Sequence, residues 1–156
     1  MKIYFGSDHA GFMLKSKLVT FARSLGYEVF DLGPDKYDPL DDYPDYVVPV
    51  VKAVLSDKDS RGVILGGSGQ GEAMVANRFK GIRAVVFNGQ YSPKDNRELP
   101  NEIKISREHN DSNVLSLGAR FLNEEEATQA LKLWLDTEFL NEERHVRRLE
   151  KIDSCS

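Results

Sequence analysis

The chain has 156 residues, of which 40% are hydrophobic and 29% are charged, and its formal net charge is −4 at pH 7. This length and composition are typical of a globular protein, so we predict a single domain covering residues 1–156. The acidic balance argues against general binding to nucleic acids or anionic membranes. Three histidines and one cysteine, Cys155, exclude an internal disulfide and a structural zinc site. No apolar run approaches transmembrane length, and the N-terminal one is too short for a signal peptide, so we expect a cytoplasmic protein.

Strand-like and helix-like patterns alternate along the chain. Five short segments predict strands, in chain order 3–6, 27–32, 62–65, 83–87 and 113–118. Apolar residues at helical spacing predict helices at 14–25, 47–55, 73–79 and 127–135, and a charged segment predicts a last helix at 141–152. The polar stretch at about 92–104 predicts an exposed insertion, because it contains two prolines and alternating charges. Strands separated by helices favour an α/β fold with a parallel sheet and helices on both faces.

Polar residues follow several of the predicted strands. Asp8 and His9 follow the first strand, residues 66–72 follow the third, and Arg120 follows the fifth. Folds of this class bind ligands at the carboxyl ends of their strands, so we expect these groups to lie at one edge of the sheet. For Asp8 and His9 a plain helix cap is an equally good interpretation, because an aspartate in such a turn can accept hydrogen bonds from helix amides.

The run Gly-Gly-Ser-Gly-Gln-Gly-Glu at 66–72 is the most informative motif. Its glycines allow backbone amides to approach an anion closely, and the helix that follows adds the positive end of its dipole. Glu72 is poorly placed for simple phosphate binding but well placed to remove a proton from a carbon acid. The alternative is a tightly packed turn in which this glutamate only complements the helix dipole. A P-loop is excluded, because no Lys-Ser/Thr pair follows the last glycine.

Two further groups carry weaker signals. Arg144 and Arg148 lie four residues apart, hence on one helical face, and paired guanidinium groups suit the oxygens of a phosphate. A solvated face that pairs with local acids is the alternative. His109 and Asn110 precede the fifth strand, in a stretch that by itself predicts an ordinary polar loop.

Taken in order, the motifs of this chain resemble those of the ribose-5-phosphate isomerase B family, which includes the galactose-6-phosphate isomerase subunits. The resemblance covers about residues 3–152, and it is specific as an ordered set although each motif alone is weak. The motifs are Gly-Ser-Asp-His-Ala-Gly at 6–11, Asp-Tyr-Pro at 42–44, Gly-Gly-Ser-Gly-Gln-Gly at 66–71, Ala-Asn at 76–77, Gly-Ile-Arg-Ala at 81–84, Arg-Glu-His-Asn at 107–110 and Arg-His at 144–145.

This resemblance implies a three-layer αβα, Rossmann-like sandwich with a five-stranded parallel sheet and a C-terminal helix. It implies a homodimer, possibly assembled into a tetramer, with active sites between subunits. It also implies an aldose–ketose isomerisation of a sugar phosphate that needs no metal or cofactor. By resemblance, Asp8 and His109 would assist opening of the sugar ring, and Asn110 would contact sugar hydroxyls. The groups implied to stabilise the enediolate oxyanion are Ser68 and the backbone amides of Gly67, Gly69 and Gly71. Those implied to hold the phosphate are His9, Arg120, Arg144 and Arg148.

Position 66 departs from the commonest family pattern. Many members carry a cysteine as the catalytic base where this chain has Gly66, and Cys155 is far away in sequence. A second branch of the family, with the motif Gly-Gly-Ser-Gly-x-Gly-Glu, places the base on the glutamate, which Glu72 matches. Removal of a weakly acidic sugar proton becomes feasible when amides face the developing oxyanion and the carboxylate is partly desolvated.

Several functions remain open at this point. The favoured one is interconversion of ribose 5-phosphate and ribulose 5-phosphate by proton transfer through a cis-enediolate. The alternatives are a hexose-6-phosphate isomerase of the allose or galactose type, and a non-catalytic sugar-phosphate-binding protein. A dinucleotide-binding Rossmann domain is disfavoured, because the glycine-rich turn follows the third strand instead of the first.

Overall fold

A computed structural model describes residues 1–155 as a parallel sheet with helices on both faces. The elements in chain order are β1 (Lys2–Ser7), α1 (Phe12–Ser24), β2 (Glu28–Asp31), α2 (Pro44–Ser56), β3 (Arg61–Gly66), α3 (Gln70–Ala76), β4 (Ala84–Phe87), α4 (Glu102–Glu108), β5 (Val114–Gly118), α5 (Glu124–Asp136) and α6 (Glu143–Asp153).

The five strands hydrogen-bond in the order β2-β1-β3-β5-β4, and every pairing is parallel. The central strand β3 is buried throughout after Arg61, as expected for a strand covered on both faces. Its last residues, Leu65 and Gly66, pair with Ser7 and Gly118, so the carboxyl ends of β1, β3 and β5 lie side by side. The predicted α/β sandwich with five parallel strands is confirmed.

Two apolar clusters separate the sheet from its helices. Alternate residues of β3 point to opposite faces: Val63 and Leu65 belong to the cluster beneath α1, α4 and α5, and Ile64 belongs to the cluster beneath α2 and α3. Trp134 of α5 is completely buried in the first cluster. This packing fixes both ends of the loop between β3 and α3, where the glycine-rich motif lies.

Helix α3 begins three residues before the predicted start at 73, at Gln70. Gly69 is its N-cap residue and has a φ of 72°, a left-handed conformation that favours glycine. The turn is therefore complete before the motif ends. As a result, Gly71 and Glu72 lie in the first turn of the helix rather than in a loop.

Helix α4 was not predicted from the sequence. This helix has only seven residues, and its one fully buried apolar side chain is Ile103, which is 3% exposed. The Asn101 side chain accepts a hydrogen bond from the Lys104 N–H, which caps the helix. Apolar periodicity could not reveal it, because the other buried positions are polar. The predicted exposed segment at 92–104 is thus irregular only up to Asn101.

The C-terminal helix α6 is amphipathic but packs little against its own chain, and His145 is its only buried residue. It differs in this respect from α5, which buries five residues in the apolar core. Within residues 1–155, no helix has both the length and the apolar character needed to cross a membrane.

Candidate active site

An open cleft of about 390 Å³ lies at the carboxyl edge of the sheet. The loops that follow β1, β3 and β5 form most of its wall, as parallel-sheet folds of this class require. The residues that line it are Asp8, His9, Ala10, Tyr43, Gly67, Ser68, Gly71, Glu72, Arg120 and Phe121. The sequence prediction of a polar site at this edge therefore agrees with the structure for the residues that follow β1, β3 and β5.

Glu72 is the buried acid of the cleft, with a side chain that is only 4% exposed. Burial raises the pKa of its carboxyl group, and the negative charge of Asp8 raises it further. The carboxylate lies directly against Gly66: a Cβ atom added there would be 1.6 Å from Glu72 Oε1. Glycine at position 66 therefore provides the space that the Glu72 carboxylate occupies.

The glycines of the loop have different local roles. A Cβ atom at Gly67 would lie 3.0 Å from Cζ of Arg120, so Gly67 allows the guanidinium group to cover the loop. A Cβ atom at Gly71 would lie 2.8 Å from the Tyr43 ring. Gly69 does not line the cleft but provides the left-handed turn that starts α3. The motif thus combines close packing against side chains with a sharp turn.

Asp8 lies at the end of β1 and is buried. Its Oδ1 accepts hydrogen bonds from the N–H groups of Ala10 and Gly11, at 3.0 and 3.3 Å. This is the turn-capping role that was the alternative interpretation of the sequence. The side chain nevertheless lines the cleft, and its charge acts on Glu72, so capping does not remove it from the candidate site.

His9 is held by Asp41, a residue that the sequence analysis did not select. Asp41 Oδ1 accepts hydrogen bonds from the His9 backbone N–H at 2.9 Å and lies 2.7 Å from its Nδ1. This hydrogen bond raises the pKa of His9 and so favours its cationic form. The position of Asp41 next to the Asp-Tyr-Pro motif at 42–44 was the one available signal. Together with Arg120, His9 makes this end of the cleft suitable for an anion.

Asp8, His9 and Asp41 are also the group whose oxygen and nitrogen atoms come close enough to hold a metal ion, all within 4.8 Å of one another. Their hydrogen bonds satisfy much of this capacity. Asp8 Oδ1 accepts from two backbone amides, and Asp41 Oδ1 contacts the backbone N–H and the ring Nδ1 of His9. The arrangement is accounted for by the turn after β1 and by the orientation of the imidazole.

The remaining candidates form a second cluster that does not line this cleft. The His109 ring stacks on His145 of α6, with ring centroids 4.4 Å apart and planes 14° apart. His145 is 1% exposed, and burial together with the charge of His109 lowers its pKa. The Asn110 carbonyl accepts a hydrogen bond from Nε of Arg83, which precedes β4, so this cluster lies at the amino edge of the sheet.

The two predicted phosphate ligands of α6 belong to the same second cluster. Arg144 and Arg148 flank His145 in sequence and are both exposed. The Arg144 Nε donates a hydrogen bond to Glu142 Oε2 at 2.6 Å, a contact between exposed side chains. Within one chain, the predicted site residues are therefore divided between two edges of the sheet.

Comparison with known proteins agrees with the motifs. The family model described as Ribose/Galactose Isomerase matches residues 3–152. Ribose-5-phosphate isomerase B of Escherichia coli is 38% identical over 151 residues, which cover 97% of this chain and 93% of that protein. The structure of ribose-5-phosphate isomerase B from Clostridium thermocellum is 39% identical, with a TM-score of 0.87 over 99% of this chain and 96% of that one.

A further similar structure contains a ligand. Ribose-5-phosphate isomerase B from Mycoplasma genitalium, with bound ribulose-5-phosphate, is 31% identical, with a TM-score of 0.87 over 98% of this chain and 94% of that one. The similarity extends over nearly the full length of each chain, and it includes the strands and loops that form the cleft. The chain therefore belongs to the ribose/galactose isomerase family.

Proposed function

We propose that this protein is a cofactor-free aldose–ketose isomerase that interconverts ribose 5-phosphate and ribulose 5-phosphate. The observation that carries the proposal is the buried Glu72 carboxylate, which lies against Gly66 beside a glycine-rich loop. A desolvated carboxylate next to free backbone amides suits proton transfer at carbon. The names of the relatives support the substrate, as does the ribulose-5-phosphate bound to the Mycoplasma genitalium protein.

In this mechanism Glu72 removes the proton from C2 of the open-chain aldose and returns it to C1, while the hydroxyl proton of O2 moves to O1. The intermediate is a cis-enediolate, whose developing negative charge is stabilised by Ser68 and the amides of the glycine loop. Burial contributes by raising the pKa of Glu72, which strengthens the base. Asp8 and His109 assist ring opening.

The phosphate end of the substrate requires cations. Two of them lie beside the cleft: Arg120, and His9, whose pKa is raised by its hydrogen bond to Asp41. Arg144 and Arg148 supply the others, and Asn110 contacts the sugar hydroxyls. Since these three residues belong to the amino-edge cluster of the chain, one polypeptide does not bring all the ligands together.

We therefore propose a homodimer in which each active site combines the carboxyl-edge cleft of one subunit with the amino-edge cluster of its partner. A twofold axis would create two such sites at once, because the same pair of surfaces meets twice. The limited packing of α6 on its own chain fits this arrangement, since an amphipathic helix needs a partner surface for its apolar side. Association of two dimers into a tetramer is compatible with it.

A panel of aldose phosphates tests the reaction and the substrate together. Purified protein is incubated with ribose 5-phosphate, allose 6-phosphate and galactose 6-phosphate, and ketose formation is measured without added metal and with a chelator. We expect the highest kcat/KM for ribose 5-phosphate. A clear preference for a six-carbon substrate would favour the hexose-phosphate alternative, and no turnover of any of them would favour a binding protein. Fractionation of the native cells tests the expected cytoplasmic location.

A further inference from the structure

Consecutive carbonyl oxygens of the glycine loop accept hydrogen bonds. The Gly66 carbonyl accepts a hydrogen bond from the Ala119 N–H at 2.8 Å, and the Gly67 carbonyl accepts one from the Arg120 N–H at 3.1 Å. Both donors belong to the backbone that follows β5. The first half of the loop is therefore attached to the neighbouring strand by main-chain groups, whose presence does not depend on side-chain identity.

The second half of the loop is attached by two side chains, and the Gly69 carbonyl also accepts a hydrogen bond from the Ala73 N–H of α3 at 3.1 Å. Nδ2 of Asn88, directly after β4, donates a hydrogen bond to the Ser68 carbonyl at 3.0 Å. Oγ of Ser116, within β5, donates to the Gly69 carbonyl at 2.6 Å. Apart from the Ala73 N–H, these donors come from the β5–β4 side of the loop, whereas Asp8 follows β1 on the opposite side of β3.

Because peptide units are planar, the hydrogen bonds of the loop carbonyls also determine which way the neighbouring N–H groups point. The described residues contain no cis peptide, so in each unit the N–H points away from the carbonyl of the preceding residue. With the carbonyls directed toward β5 and β4, the N–H groups of Gly67, Ser68 and Gly69 point to the side of β1. Within residues 1–155 these three N–H groups have no hydrogen-bond partner, which leaves them available to a ligand.

Both side chains place polar atoms in buried positions, which lowers the stability of the fold. Ser116 is completely buried, and Oδ1 of Asn88 is buried without a hydrogen-bond partner among the described residues. Gly118 makes room for Asn88, because a Cβ atom there would lie 2.0 Å from Asn88 Oδ1. An unpaired buried acceptor destabilises a fold. The amide nitrogen that binds the Ser68 carbonyl provides the compensating contact.

We propose that Asn88 and Ser116 are positioning residues. Asn88 holds the Ser68 carbonyl and so directs the Gly69 N–H toward the reacting oxygen of the substrate, and Ser116 holds the Gly69 carbonyl and so fixes the backbone conformation of the same glycine. This inference rests on the proposed isomerase function. Neither residue lines the cleft. Their effect is exerted on the transition state, because amides fixed in advance stabilise the enediolate without reorganising during the reaction.

The test compares Ser116→Ala and Asn88→Ala with the unaltered protein. We expect each substitution to lower kcat by about five- to tenfold and to change KM by less than about twofold, since a group that acts on the transition state affects turnover more than binding. Affinity for a phosphorylated hydroxamate, a planar and negatively polarised mimic of the enediolate, should fall by a similar factor.

Ser112→Ala is the matched control. Ser112 is also a completely buried serine, but its hydroxyl bonds Ser106 and Trp134 at the other end of β5. The Ser112→Ala variant should lose about as much thermal stability as Ser116→Ala and keep the kcat of the unaltered protein. Unchanged kcat in both Ser116→Ala and Asn88→Ala, or an equal fall of kcat in Ser112→Ala, would overturn the positioning role.

A second measurement separates this inference from the proposed function. Backbone amide NMR spectra report the orientation and hydrogen bonding of Gly67, Ser68 and Gly69 without any turnover. We expect shifts of these amides in Ser116→Ala and Asn88→Ala, but not in Ser112→Ala. An unaltered protein that isomerises no aldose phosphate would overturn the proposed function, whereas unshifted loop amides would overturn the positioning role.

Discussion

The two edges of the sheet contain very different parts of the candidate site. At the carboxyl edge, Glu72 is buried and the adjoining glycine loop is attached to its surroundings through successive carbonyls. At the amino edge, Arg144 and Arg148 are exposed on a helix that packs little against the sheet. In the proposed homodimer this difference corresponds to two roles: proton transfer needs groups fixed in advance, and phosphate binding can use side chains that a partner subunit orders.

The sharpest test of the carboxyl edge is Glu72→Gln, for which we expect the largest effect. The amide keeps the shape of the side chain but cannot accept the proton, so kcat should fall by about 10²- to 10⁴-fold with little change in KM. Steady-state kinetics with ribose 5-phosphate measures both constants. Near-normal turnover in this variant would show that another group is the base.

Mixing subunits tests whether the two edges belong to one active site. Glu72→Gln and His109→Ala chains should each be inactive alone, but mixed dimers should contain one site with both groups intact. Random pairing makes about half of the dimers mixed, each with one good site of two, so activity should recover to about one quarter of the unaltered level. Differently tagged chains verify the exchange. Verified mixed dimers without activity would mean that each site is built within one chain.

Replacing an arginine of α6 tests the phosphate-binding role of the amino edge. Arg144→Ala or Arg148→Ala should weaken binding of a substrate-analogue phosphate by about ten- to hundredfold, because one charge-assisted contact is lost. Arg147→Ala is the control on the same helix: its guanidinium lies 3.9 Å from Glu143 and is exposed. Calorimetry measures the affinities. Equal affinities for all three variants and the unaltered protein would refute the assignment.

The smallest expected effect concerns stability. Because burial raises the pKa of Glu72 in the folded protein, its contribution to stability is fully present at low pH and is lost as the pH rises through that raised pKa. Glu72→Gln stays neutral and avoids this loss. Its Tm should therefore exceed that of the unaltered protein by roughly 2–4 °C near pH 8, and the difference should shrink toward pH 4. A constant difference across this range would contradict a raised pKa.

The pH dependence of catalysis should also depend on Glu72, but activity should rise over the pH range in which stability falls. A base must be deprotonated to act, so kcat/KM should fall as the pH falls through the raised pKa of Glu72. This acid limb should lie above the range of an exposed glutamate. Burial thus lowers stability at neutral pH while making Glu72 a stronger base.

Much of the fold could be predicted because its signals are local. Each strand has an apolar run and most helices have a clear period, so alternation alone indicates the parallel sheet. Helix α4 was missed because its buried positions include Ser106 and Arg107, which no apolar period detects. Its N-cap residue, Asn101, did not reveal the helix either, because asparagine is common in loops as well as at helix starts.

The site was harder to predict because it depends on contacts between distant segments. The glycine motif identified Glu72, but its contact with Gly66 requires knowing where the first turn of α3 begins. Asp41 lies 32 residues from His9, and nothing in the spacing links the two. His109 was assigned to the site by family resemblance, across a dimer interface from Glu72, and within one chain it lies beside His145.

The contact between Gly66 and Glu72 has a consequence for how such an enzyme can change over evolutionary time. A side chain at position 66 and the carboxylate at position 72 compete for one volume, so a cysteine introduced at 66 would displace the Glu72 carboxylate, which is the base in the proposed mechanism. In that mechanism, loss of the glutamate first would leave no base at all. Exchange between the thiol and carboxylate forms of this site is therefore a coupled two-position substitution, and the intermediate chains are expected to fold while turning over poorly.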